Sequence, residues 1–120
     1  MFKDWPHIAA DLSALTKELR GGTPDVMKAF SAMAQAATAA KALDTKTKEL
    51  VALGIAVAIR CDPCIAFHAE SARKHGATRD EIMETVGTAI YMGAGPSVMY
   101  AAQAVEAYDQ YVAKNELAAE

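Results

Sequence analysis

The sequence predicts an all-α fold, a six-helix bundle, on three observations. Apolar residues recur at helical spacing in segment after segment of the 120 residues. No convincing apolar/polar alternation marks a strand. The breaks between apolar stripes carry caps, glycines and prolines of the kinds that end and start helices.

Taken in order, Ile8, Leu12, Leu15 and Leu19 form the first stripe, which Gly21-Gly22 ends. Thr23 follows as an N-cap, Pro24 as the first helical residue and Asp25 as a first-turn acid. The second helix so opened carries Val26, Phe30, Met33 and Ala37 on one face. Asp44 caps a third helix, Thr45 to about Arg60, that is apolar on every side between Leu50 and Ile59 and so belongs in the middle of the structure. Asp62-Pro63 interrupts it, because proline lacks an amide hydrogen and clashes with the preceding turn yet suits the first turn of a new helix. The fourth helix runs to about His75 and stops at Gly76. Thr78 and Glu81 form a capping box for the fifth, with Ala77 against Ile82 as its staple and Ile82, Val86, Ala89 and Ile90 as its face. Gly93 to Pro96 turns the chain into a sixth, carrying Val98, Ala102, Val105, Tyr108 and Val112. Residues 1–120 therefore read as a single domain, without linker, repeat or low-complexity tract.

Composition narrows the function classes. Hydrophobic residues make up 52% of the chain, much of it alanine, which is more apolar surface than one small domain needs to hide. A symmetric homo-oligomer is the expectation. Twelve Lys and Arg against fifteen Asp and Glu give a net charge of −3 with no basic stripe, so no nucleic-acid partner is expected. The longest apolar run, Leu50 to Ile59, is ten residues, short of the roughly 20 of a membrane span. The start, MFKDWPHIAADL, does not read as a secretory signal, and the protein is expected to be cytoplasmic. A cysteine pair in that compartment points to redox chemistry or metal binding more than to a structural disulfide.

Both cysteines fall in one stretch, Cys61 to His68, CDPCIAFH. They sit at and just inside the first turn of the fourth helix, where free amide groups and the positive end of the helix dipole favour a thiolate, the nucleophilic form. His68 comes four residues after Cys64, one turn along the same face, and can exchange a proton with that sulfur. Two cysteines separated by two residues can also close a disulfide across one turn. Glu49 stands just before the ten-residue apolar run, where an unpaired carboxylate would be costly; if the third and fourth helices pack together it could meet Cys64 and His68 as a proton carrier. Arg60 is expected to pair with Asp62, His7 to lie on the surface, and His75 to stand at a helix C-terminus outside the site. Zinc binding by Cys61, Cys64 and His68, and simple burial of the cysteines, remain open on the residues alone.

The arrangement Glu49, eleven residues, Cys61-x-x-Cys64, three residues, His68 resembles the active-site signature of the alkylhydroperoxidase D-like branch of the carboxymuconolactone decarboxylase family. The similarity runs from about Pro24 to about Val112. It implies a helical fold assembling as trimers or hexamers, thiol-based reduction of hydroperoxides, and re-reduction by a dithiol partner such as a lipoyl adaptor protein. It also implies roles: Cys64 as the attacking thiol, Cys61 as the resolving and more exposed one, His68 and Glu49 as the proton relay, with no cofactor or metal. One position departs, since Pro63 stands where alkylhydroperoxidase D has a histidine. The decarboxylases proper lack the cysteine pair, which argues against decarboxylation. The alternatives are a non-catalytic helical assembly module with zinc-binding or structural cysteines, and a decarboxylase-like enzyme. Some of the chain's methionines and aromatic residues are expected to line an apolar pocket at the thiols, suiting it to organic hydroperoxides.

Overall fold

Local chemistry sets the helix ends in this computed structural model, which describes residues 1–119. Helices α1 (Trp5–Gly22), α2 (Pro24–Thr38), α3 (Thr45–Ile59), α4 (Asp62–Lys74) and α5 (Arg79–Ala119) account for the fold, and no strand occurs among the described residues. Asp44 accepts a hydrogen bond from the Thr47 amide at 2.7 Å, which opens α3 and holds the Asp44 carboxyl below its usual range. Gly76, at φ +89°, takes the left-handed turn after α4 that a side chain would resist. The capping box closes in both directions: the Glu81 amide donates to Thr78 Oγ1 at 3.2 Å and the Thr78 amide to Glu81 Oε1 at 2.8 Å. Ala77 and Ile82 are both buried beside it. Thr23 stands between α1 and α2 as anticipated, although its side chain makes no capping hydrogen bond.

The six-helix count becomes five because the fifth and sixth helices join across a kink. Ala94, at φ 56° and ψ −144°, is the one non-helical residue in α5. Pro96 fits just after it, in the first turn of the C-terminal arm, where the missing amide hydrogen breaks no ladder. Gly93 is required by packing: a Cβ there would collide with the side chain of buried Ser97, reaching its Cβ at 2.9 Å. The turn read from Gly93 to Pro96 is therefore a bend and not a loop.

Helix α3 packs against α4 and α5, α4 packs against α5, and α1 lies across α4 and α5. The core they enclose holds Trp5, Leu53, Val57, Ile65 and Ile82, filled in by alanines of α4 and α5 that let the backbones approach. Four expected faces are corrected. In α1 the second half of the stripe, Leu15 and Leu19, is exposed. The stripe of α2, Val26, Phe30 and Met33, is exposed, because α2 touches only α1 and α3. Helix α3 is not central on all sides: Val51, Ile55 and Ile59, one turn apart, face outward. In the C-terminal arm of α5 the buried side runs through Ser97, Ala101, Ala104, Tyr108 and Tyr111, while Val98 and Ala102 are exposed. Small residues won the inner side there, and the Tyr108 hydroxyl closes it by donating to the Ala77 carbonyl at 2.7 Å.

The N-terminal segment is strapped to α5. Glu106 accepts from the Phe2 amide at 2.6 Å, the Lys3 amide at 3.0 Å and the Trp5 indole at 2.8 Å. Gln110 accepts from the Trp5 amide at 2.8 Å and donates to the Lys3 carbonyl at 2.6 Å. Burial pushes the Glu106 carboxyl up, but the hydrogen bonds from Phe2, Lys3 and Trp5 outweigh it and hold the group below its ordinary 4.5. A carboxyl whose folded value is depressed contributes stability that is fully present above the unfolded value and is lost as pH falls through the folded one. The stability difference between wild type and Glu106→Gln should thus be largest near neutrality and shrink as pH drops below about 4.5, the ordinary value. Urea denaturation followed by the emission of Trp5 measures it; a difference independent of pH would contradict the assignment.

Candidate functional site

Helix α3 ends where Arg60 adopts the left-handed conformation, φ 60° and ψ 49°, and donates its amide to the carbonyls of Ala56 and Val57. Cys61 follows with its amide bonded to Ala56 O at 3.1 Å, and α4 begins at Asp62. The junction is so short that α3 and α4 fold back as a helical hairpin. Cys61 is the N-cap of α4: its Sγ accepts from the Cys64 amide at 3.3 Å, and a disulfide joins Cys61 to Cys64 with the Cα atoms 5.2 Å apart. Pro63 occupies the first turn, where no helical hydrogen bond is lost. The Cys61 sulfur therefore takes an amide of a helix N-terminus and Cys64 lies in the first turn, a setting that stabilises a thiolate when the bond is reduced.

The hairpin also brings Glu49 to His68. Glu49 Oε2 lies 2.7 Å from His68 Nδ1, with the Glu49 side chain 6% exposed and that of His68 33% exposed. With the carboxyl ionised, His68 Nδ1–H donates, which leaves Nε2 to take or give a proton at the partly open end. One carboxylate inside and one imidazole at the edge form a short proton path. Cys64 stands one turn before His68 on α4 and packs against the core. The four residues singled out by sequence thus form two bonded pairs, Cys61 with Cys64 and Glu49 with His68, on and against the first half of α4.

Other expectations need correction. Asp62 pairs with Lys3 and not with Arg60, the Lys3 ammonium lying 2.5 Å from Asp62 Oδ2. No local signal links residues 59 positions apart, so this contact could not be found by helical spacing. His75 caps the end of α4 with Nδ1 at 2.8 Å from the Ser71 carbonyl, and His7 is exposed beside Asp11. An apolar groove of about 500 Å³ runs between α3 and the N-terminal arm of α5, along Leu50, Val51, Ile55 and Met92. A second hollow of about 370 Å³ is lined by Phe2, Met99, Ala102, Gln103 and Glu106. Neither is lined by Cys61, Cys64 or His68, so these methionines border other hollows and not the thiols. Among the described residues no group of three or more His, Cys, Asp and Glu side chains is placed to hold a metal ion.

Removing Glu49 would leave the His68 ring nitrogen without its partner and open space in the interface of α3 and α4. Glu49→Ala should lower the stability of the oxidised protein by about 1–3 kcal/mol in urea denaturation. A loss below about 0.5 kcal/mol, the range of surface substitutions, would contradict a structural role for the pair.

The sequence profile described as the carboxymuconolactone decarboxylase family matches residues 24–107. An apo crystal structure of a protein of that family from Legionella pneumophila superposes with a TM-score of 0.87 at 48% identity, covering 89% of this chain and 96% of that one. A second, from Thermotoga maritima, with a suggested involvement in antioxidative response, gives a TM-score of 0.81 at 26% identity, covering 93% and 95%. An uncharacterised Haemophilus influenzae protein is 40% identical over 108 residues, 90% of this chain and 96% of its own length.

Proposed function

The chain belongs to the carboxymuconolactone decarboxylase family, and from that premise we propose that it is a thiol-dependent oxidoreductase of the alkylhydroperoxidase D-like branch, reducing hydroperoxides through a Cys61–Cys64 cycle. The observation that carries this reading is the bonding of Cys61 to Cys64 at the N-terminus of α4, one turn from the Glu49–His68 pair. The suggested antioxidative involvement of the Thermotoga maritima relative supports it.

In this mechanism the reduced Cys64 thiolate attacks the peroxide. An S–O bond forms, the O–O bond breaks, and the departing alkoxide takes a proton from His68 to leave as the alcohol. Cys64 is then a sulfenic acid. Cys61, deprotonated by His68, attacks that sulfur; the S–S bond forms, and hydroxide leaves with the proton as water. Glu49 keeps the imidazole oriented and balances its charge between the two steps. A dithiol such as a lipoyl group supplies two electrons and two protons to restore the thiols, becoming a disulfide itself. Pro63 gives no polar group to these transfers, so Glu49 and His68 carry them alone.

The working form in this proposal is a cytoplasmic homo-oligomer, a trimer or hexamer. Exposed Val26, Phe30 and Met33 on α2, with Val51, Ile55 and Ile59 on α3, supply apolar faces for a second copy to cover. No helix among the described residues is long and apolar enough to cross a membrane.

The test is consumption of a bulky organic hydroperoxide and of hydrogen peroxide by wild type, Cys61→Ser and Cys64→Ser, with excess dihydrolipoamide. Sulfur oxidation state is read by mass spectrometry. Turnover by wild type, none by Cys64→Ser, and a sulfenic acid stalled in Cys61→Ser are the expected results. Thiols that stay reduced in every variant under peroxide would refute the peroxidase assignment.

A further inference from the structure

The strap at the N-terminus lies outside the 24–107 region shared with the family, yet it ends at the cysteine pair. Asp62 is the first residue of α4 and the immediate neighbour of Cys61. Its carboxylate opposes what the helix terminus does: it repels a thiolate on the adjoining cysteine. Lys3 answers it. The ammonium lies 2.5 Å from Asp62 Oδ2 and 2.6 Å from Gln103 Oε1, and 5.4, 5.5 and 5.8 Å from the ring centres of Phe2, Trp5 and Tyr100.

A surface lysine usually contributes little to an ion pair, because a long side chain must be ordered and water screens the charge. Neither limit applies fully here. The Lys3 backbone is fixed through both its amide and its carbonyl, the side chain is only 29% exposed, and three rings shield it. The next residue but one, Trp5, is wholly buried. Lys3 is thus held at Asp62 by the fold of the segment around it.

We propose that Lys3 is a positioning residue for the cysteine pair: by neutralising Asp62 it favours the thiolate of the reduced pair and makes the disulfide easier to reduce. This rests on the redox reading of Cys61 and Cys64. In exchange with a dithiol, a thiolate of the dithiol attacks one sulfur and its second thiol then displaces the cysteine, so that two electrons pass to the pair and the dithiol becomes a disulfide. Thiolate exists only in the reduced product. Whatever stabilises it shifts that equilibrium toward the reduced pair and speeds alkylation of the free thiol. The other charged groups near this pair are Glu106, which accepts from the Lys3 amide at 3.0 Å, Arg60, which is exposed, and His68 with its partner Glu49; none of them forms an ion pair with Asp62.

The experiment equilibrates wild type, Lys3→Ala, Asp62→Asn and the double variant Lys3→Ala/Asp62→Asn in dithiothreitol redox buffers. It also follows alkylation of the reduced proteins by iodoacetamide at neutral pH, with Trp5 emission reporting whether the segment stays seated. Lys3→Ala should move the equilibrium toward the disulfide by about threefold to tenfold, the upper figure corresponding to about 30 mV for a two-electron couple. Its alkylation should slow in parallel. The double variant, in which no carboxylate is left to neutralise, should return to within about twofold of wild type, the usual margin of additivity. A double variant shifted as far as Lys3→Ala would show that loss of the strap and not charge is the cause, and would overturn the proposal. Wild type and Lys3→Ala sharing one potential would overturn it too, while leaving the redox cycle intact. A wild-type pair that never exchanges with the dithiol would remove both.

Discussion

The contact between Glu49 and His68 fixes how the third and fourth helices face each other, and the site is arranged around it. A carboxylate buried in an interface otherwise made of Leu53, Val57, Ile65 and alanines is tolerated only with a partner. His68 is that partner, and the antiparallel return of the chain at Arg60 and Cys61 puts it within reach. Sliding α3 along α4 by one turn would separate the two and strand the acid. The same register sets the N-terminus of α4 at the end of the hairpin, with Cys61 as its cap and Cys64 in its first turn. One polar requirement in an apolar interface therefore holds both Glu49 and His68 and, indirectly, the place of the sulfurs.

Around that centre the chain distributes its apolar surface unevenly. Alanine-rich faces of α4 and α5 meet closely and are fully buried, whereas larger side chains on α2 and the outer side of α3 stay exposed. Helix α2 contributes nothing to the core of one chain, which is why the proposed assembly assigns it to contacts between copies. The N-terminal segment runs the other way. It crosses back over α5, buries Trp5 and delivers Lys3 to the first turn of α4. Residues at opposite ends of the chain are thereby tied to the helix that carries the cysteines.

Helix starts and stops were legible in the sequence because their causes are local. Asp44, Pro63, Gly76 and the Thr78–Glu81 box act within a few residues of themselves, and each does in the fold what its type suggests. The meeting of Glu49 with His68 was also legible, since a lone acid before an apolar run must find a partner and the hairpin offers few. What could not be read was anything set by distant packing. The inner side of α5 after Ala94 follows small residues more than large ones, and valine positions chosen by helical spacing fall partly outside. Whether Gly93 to Pro96 makes a loop or a bend depends on Ser97 seating against Gly93, a contact no propensity describes. Lys3 and Asp62 are joined only by the complete fold.

In the proposed redox cycle the Glu49–His68 pair governs ionisation of the Cys64 thiol. The most direct test of this is a pH titration of thiolate absorbance in the ultraviolet for the fully reduced protein, comparing wild type with His68→Asn and Glu49→Gln. The account predicts that both substitutions move thiolate formation to higher pH, His68→Asn more than Glu49→Gln. Titration curves that coincide for all three proteins would contradict it.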